Sequence, residues 1–98
     1  MEIVYLPQTR GDLRWMKDYY SRVFPAGARH ARLQFEAAEA LLRDNPNAGR
    51  PGILPGTREL VIPKTPFIIF YRVASDRVEV LRVWDGRALQ GKISAPSG

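Results

Sequence analysis

A chain of 98 residues that is 45% apolar and 26% charged has the size and composition of one small globular domain. It has no cysteine and a single histidine, His30, which excludes a disulfide framework, a thiolate metal site and a histidine-cluster metal site. The net charge of +5 points to an acidic partner or a nucleic acid, and no apolar run approaches the roughly 20 residues that span a bilayer, so a cytoplasmic protein with no cofactor is expected.

Glu2 to Leu6 is a short β-prone run closed by Pro7, which has no N–H for a ladder. Thr9, three residues before Asp12, reads as a helix N-cap with an acidic residue in the first turn. Leu13, Met16, Tyr20 and Phe24 follow on one helical face, with Trp15 and Tyr19 as a second stripe beside it. Pro25 and Gly27 break this helix, expected near 9–24. A second helix near 28–44 repeats Ala31, Phe35, Ala38 and Leu42, with Arg29, Arg32, Glu36, Glu39 and Arg43 opposite. The short connection predicts an antiparallel hairpin, and the alanines predict a close approach.

Asn45 to Gly56 (NPNAGRPGILPG) is rich in turn residues and reads as a loop with Arg50 on a mobile tip. Three strands follow, near 57–63, 67–74 and 77–85. Their hairpin-length connections make them an antiparallel meander. In the middle strand Phe67, Ile69 and Tyr71 point one way, Ile68 and Phe70 the other. One layer of helices covers one face, so the other face is expected to keep apolar side chains that a partner would cover. Residues 90–98 read as a flexible tail of a single domain covering 1–98. The class is α+β with two layers: strand, helical hairpin, then the meander.

Catalytic and metal-binding groupings are not evident. His30 lies between arginines on a helix and reads as a surface residue. Glu79 and Asp85 share a strand face at a spacing of six and read as ion-pair partners rather than an acid–base pair. Seven basic and six acidic residues lie in 1–44, against eight and four in 45–98. The excess therefore sits with the strands, on Arg58, Arg72, Arg77, Arg82 and Arg87. Arginines beside aromatics suit either a phosphate backbone with stacked bases or the carboxylates of a protein partner.

The element order, with Arg58-Glu59-Leu60, Tyr71-Arg72-Val73 and Val83-Trp84-Asp85-Gly86-Arg87, resembles the ParE/RelE superfamily of type II toxins over about residues 2–88, and is closest to the ParE branch. The resemblance implies a toxin neutralised by a cognate ParD-like antitoxin, whose C-terminal segment lies on the toxin's apolar and basic surface. ParE-like toxins inhibit DNA gyrase, and RelE-like toxins cut mRNA on the ribosome. The nuclease branch carries an arginine early in the middle strand, where this chain has Pro66-Phe67-Ile68. Many relatives have a histidine where Asp85 stands, and no tyrosine follows Arg87. The resemblance thus favours a gyrase-binding toxin without catalytic residues. Trp84, Arg87, Arg82 and Arg58 are its candidate target contacts, and Ile68, Phe70, Arg72, Trp15 and Tyr19 its candidate antitoxin contacts. The alternative is a ribosome-dependent endoribonuclease using Arg58, Arg82 and Arg87 on phosphates; direct nucleic-acid binding is expected only in that case.

Overall fold

The computed structural model describes residues 1–87; the tail expected at 90–98 lies outside them. The elements are β1 (Glu2–Tyr5), α1 (Thr9–Asp18), α2 (Ala28–Asp44), β2 (Arg50–Pro51), β3 (Arg58–Val61), β4 (Phe67–Val73) and β5 (Arg77–Asp85). They form one five-stranded sheet in the order β1-β5-β4-β3-β2. The meander β3-β4-β5 is antiparallel, and β1 adds to the far side of β5 in parallel. Among the described residues no helix is long and apolar enough to cross a membrane.

The core lies between the helices and one sheet face. Phe67, Ile69 and Tyr71 of β4, Val78, Val80 and Val83 of β5, and Leu42 and Ala38 of α2 form it, with Ile62. Each fully buried large apolar side chain contributes about 1.5–3 kcal/mol before ordering costs. Tyr71 also carries polar work. Its hydroxyl donates to the Pro46 carbonyl at 2.6 Å and accepts from the Gly49 N–H at 2.9 Å. Burial pushes its phenol above the usual range, partly offset by the Gly49 N–H. Gly49 itself allows this approach, because a Cβ there would stand 2.8 Å from the Tyr71 oxygen and 2.7 Å from the Glu59 carbonyl. Tyr71→Phe orphans both backbone groups. It is expected to cost about 1–3 kcal/mol, read as a lower midpoint in thermal unfolding.

Several local expectations are corrected. Thr9 is not a cap: it lies inside α1, and its hydroxyl donates to the Leu6 carbonyl at 2.7 Å. Asp12 is in the first turn but bonds across the molecule to β5. The first helix does not run regularly to residue 24. After Asp18 it widens into a π-helical turn, Tyr19–Val23, closed by Phe24 N–H on the Tyr19 carbonyl at 3.0 Å. That wider turn lets Tyr19 and Tyr20 both reach Phe67, each with ring centroids 6.0 Å away. A short 3₁₀ turn at Pro25–Gly27 then leads into α2. The Asn45–Gly56 stretch is not simply a loop, since Arg50–Pro51 pairs with β3 and Arg50 is fixed to Glu59 at 3.1 Å.

The helices do not close on each other. α1 is tied to β5 through Asp12 and lies against β4 through Trp15, 5.8 Å from Phe67 between centroids. α2 sits over β1, where Tyr5 stacks on Phe35 at 6.3 Å and its hydroxyl donates to Glu39. Anchored over different strands, the helices leave a groove of about 680 Å³ between them.

Candidate functional site

The most consequential detail of the sheet is a bulge. Phe70 pairs with Arg82, but Tyr71 pairs with Val80, so Leu81 is an extra residue in β5. A one-residue insertion moves every later side chain to the opposite face. Val78 and Val80 face the helices before the bulge, and Val83 and Asp85 face them after it. Arg82 and Trp84 are thereby placed on the open face with Ile68 and Phe70. This also corrects the pairing of Glu79 with Asp85. A spacing of six would align them in a regular strand, whereas here Glu79 is on the open face and Asp85 on the helical side.

The open face is neither bare nor uniformly apolar. Phe70 is only 4% exposed, contrary to the expectation that nothing in the chain covers it. Trp84 stacks on its ring at 5.0 Å with an interplanar angle of 16°. The backbone at Gly52 closes its other side; a Cβ there would lie 3.0 Å from the Phe70 ring. The Arg82 guanidinium carbon lies 5.2 Å from the indole centroid. Phe70, Trp84 and Arg82 therefore form one stack, with Phe70 as its floor and the half-buried Trp84 at its surface. Phe70 supports that surface rather than adding to it, while Ile68 flanks it, half-buried and in register with Trp84.

Each arginine on this face has a carboxylate. Arg82 makes a fork with Asp12, through Nε at 2.7 Å and a terminal nitrogen at 2.8 Å; this bond, with the aspartate's charge, holds Arg82 even further above its usual range against partial burial. Arg72 and Arg77 share the buried Glu79, each with a nitrogen at 2.6 Å. Hydrogen bonds from Arg72 and then Arg77 hold the Glu79 carboxyl below the usual range, against the effect of desolvation. A carboxylate with a lowered folded value stabilises the fold above about pH 4.5 and loses that contribution as pH falls through the folded value. Glu79→Gln is therefore expected to lower the melting temperature at pH 7 but to narrow the gap between melting at pH 7 and at pH 3.

The remaining candidates lie elsewhere. Arg87 points toward the helical side, with its guanidinium carbon 5.6 Å from the Tyr19 centroid and a fork on Asp85 whose terminal nitrogen is at 2.8 Å. Hydrogen bonds to Asp85 and Tyr19 push Arg87 up. Tyr19 in turn stacks on Trp15 at 5.7 Å, and Trp15 remains 51% exposed. Trp15, Tyr19 and Arg87 thus form a second aromatic–cationic corner. Arg58 belongs to neither surface: it donates to the Gly49 carbonyl at 2.7 Å and pins the segment after α2. Arg72 is half-exposed on the open face, away from the Trp84 stack. Among the described residues, no His, Cys, Asp or Glu cluster could hold a metal ion.

Sequence reasoning missed the helical groove. Met16, Tyr20, Ala28, Ala31 and Phe35 line it, and Lys17, Arg29, Arg32, Glu36 and Glu39 border it. Of the alanines that suggested close packing, Ala31 lines the groove and Ala38 is buried in the core.

Residues 3–89 match the model of the family described as "ParE toxin of type II toxin-antitoxin system, parDE". The chain belongs to the ParE toxin family. Among relatives it is similar to "Putative toxin Y4kP" of Sinorhizobium fredii (strain NBRC 101917 / NGR234), 38% identical over 65 residues that make up 66% of this chain and 67% of that one. Among solved structures it is similar to a chain of "Chromosomal ParDE TA system from P. aeruginosa", with a TM-score of 0.70 and 28% identity, covering 85% of this chain and 92% of that chain. This ParE-family chain thus shares the two-helix, mixed-sheet architecture of that structure as well as its family.

Proposed function

We propose that this ParE-family toxin acts by binding DNA gyrase through the Trp84–Arg82 surface and is neutralised by an antitoxin segment seated in the groove between α1 and α2. The observation that carries the first half is the stack on the open face. Tryptophan and arginine dominate interface hot spots when they stand on a rigid, desolvated support. Trp84 has such a support in Phe70, and Arg82 has one in Asp12. The carboxylate pairing of the open-face arginines favours a protein target over a phosphate chain. A backbone of phosphates is bound by cations that displace its condensed counterions, and the charge of each of these guanidiniums is already matched by a carboxylate.

The groove supports the second half. Met16, Tyr20, Ala31 and Phe35 give it apolar walls, which suit one face of an amphipathic helix, a mode in which apolar anchors at helical spacing enter a hydrophobic cleft. Lys17, Arg29 and Arg32 on its margin suit acidic residues on that helix, and Glu36 and Glu39 beside them suit basic ones. Trp15 and Tyr19 lie on the helical side of the molecule with the groove, where a wrapping segment can reach them. The experiment is a pair of assays on purified protein: supercoiling of relaxed plasmid by gyrase, with and without a cognate antitoxin, and mRNA cleavage on programmed ribosomes. Inhibition of supercoiling that the antitoxin relieves supports the proposal. Cleaved mRNA with gyrase untouched replaces it with the endoribonuclease reading.

A further inference from the structure

Strand β5 changes its neighbours halfway along. From Arg77 to Val80 it is paired on its outer side with β1, and the Leu6 N–H closes that pairing on the Val80 carbonyl at 3.1 Å. Beyond the bulged Leu81, no strand lies on that side among the described residues. The next inner-facing residue, Val83, would present its backbone N–H to an open edge, where unpaired groups invite disorder or adventitious pairing. Asp12 occupies that place. Its Oδ2 accepts the Val83 N–H at 3.0 Å and the Arg82 Nε–H at 2.7 Å, and its Oδ1 accepts from the other Arg82 nitrogen at 2.8 Å. The Asp12 side chain is 11% exposed and the Arg82 side chain 41% exposed. A helix residue thus does the work of a missing strand partner and, with the same carboxylate, grips the arginine next to it.

We propose that Asp12 is the positioning residue of the Trp84–Arg82 surface, holding the guanidinium beside the indole before any partner arrives. The inference rests on that surface being the target-binding site. A free arginine must give up much rotamer freedom when it docks, and preorganisation removes that cost from the binding step. A planar fork on a carboxylate fixes the guanidinium in orientation as well as position. Two of its nitrogens are committed to Asp12, which leaves the third to face a partner beside the indole. The bulge aims Arg82 and Trp84 at the open face, and Asp12 holds Arg82 there.

The test uses the full chain carrying Asp12→Asn, which keeps a carbonyl oxygen for Val83 N–H but loses the charged fork. Affinity for gyrase, affinity for the antitoxin and melting temperature are measured together, with Arg82→Met and the double variant completing a cycle. The expected result is a loss of gyrase affinity of about tenfold, unchanged antitoxin affinity, partial recovery in Asp12→Glu, and no further loss when Asp12→Asn is added to Arg82→Met. Wild-type gyrase affinity in folded Asp12→Asn overturns the proposal, as do losses that simply add in the double variant. Should Asp12→Asn fail to fold, Arg82→Lys carries the same test, because lysine keeps the charge without the fork; a folded Arg82→Lys chain with wild-type affinity overturns the proposal. A Trp84→Ala chain that binds gyrase normally removes the target site itself, whereas a defective Trp84→Ala chain beside an unaffected Asp12→Asn chain removes the role of Asp12 alone.

Discussion

Replacing Trp84 with alanine is expected to weaken gyrase binding by about 30-fold or more, the scale of a hot-spot residue at about 2 kcal/mol, while the antitoxin complex survives. The reason is position. Trp84 is half-buried on the open face, outside the cluster of Phe67, Ile69, Tyr71, Val78 and Val80 that holds the fold together. Truncating it uncovers the Phe70 ring and takes the indole from beside the Arg82 guanidinium, so the stack loses its surface member. A fully buried aromatic would cost about 3–5 kcal/mol of stability; a half-buried one on the far side of the sheet costs less, and the variant should remain folded. Titration of labelled toxin against gyrase, with thermal unfolding of the same sample, separates lost affinity from lost structure. Arg10→Ala, on the exposed start of α1, serves as the control.

The opposite separation is expected at the groove. Ala28→Trp should weaken antitoxin binding on the order of 100-fold, about 2.7 kcal/mol, and leave gyrase inhibition intact. Ala28 begins α2 and lines the groove without belonging to the buried core cluster. An indole there fills space that an incoming helix needs, and overpacked interfaces fail for the same reason as overpacked cores. Calorimetric titration of the variant with the antitoxin checks the affinity, and co-expression checks the consequence: the antitoxin should no longer rescue growth. Charge reversal at Arg29 and Arg32 should give a smaller loss that fades at high salt, since exposed charges act over a screened range.

Much of the fold could be read from period alone. The alternation of Phe67, Ile69 and Tyr71 against Ile68 and Phe70 gave the two faces of β4 correctly, and the hairpin-length links gave the meander. What period cannot carry is an irregularity. Leu81 looks like any apolar strand residue, yet its bulge decides which face Trp84, Asp85 and Arg87 serve. The π-helical turn at Tyr19–Val23 is equally silent, because the helical spacing of its apolar residues continues through it. Asp12 was legible as a first-turn acid and misread for that reason; its partners are 70 and 71 residues away. The groove was hidden by a sound local rule applied without tertiary context. Alanines permit close helices, but α1 and α2 are held over different strands, and a cleft remains between them.

Gyrase binding by the Trp84–Arg82 surface is tested by supercoiling of relaxed plasmid by purified gyrase in the presence of the toxin, its Trp84→Ala variant and the antitoxin. The wild-type chain is expected to inhibit, Trp84→Ala is expected not to while keeping its melting transition, and the antitoxin is expected to restore supercoiling to the wild-type reaction but not when the toxin carries Ala28→Trp. Undiminished supercoiling with the wild-type chain at concentrations that arrest growth would contradict gyrase binding.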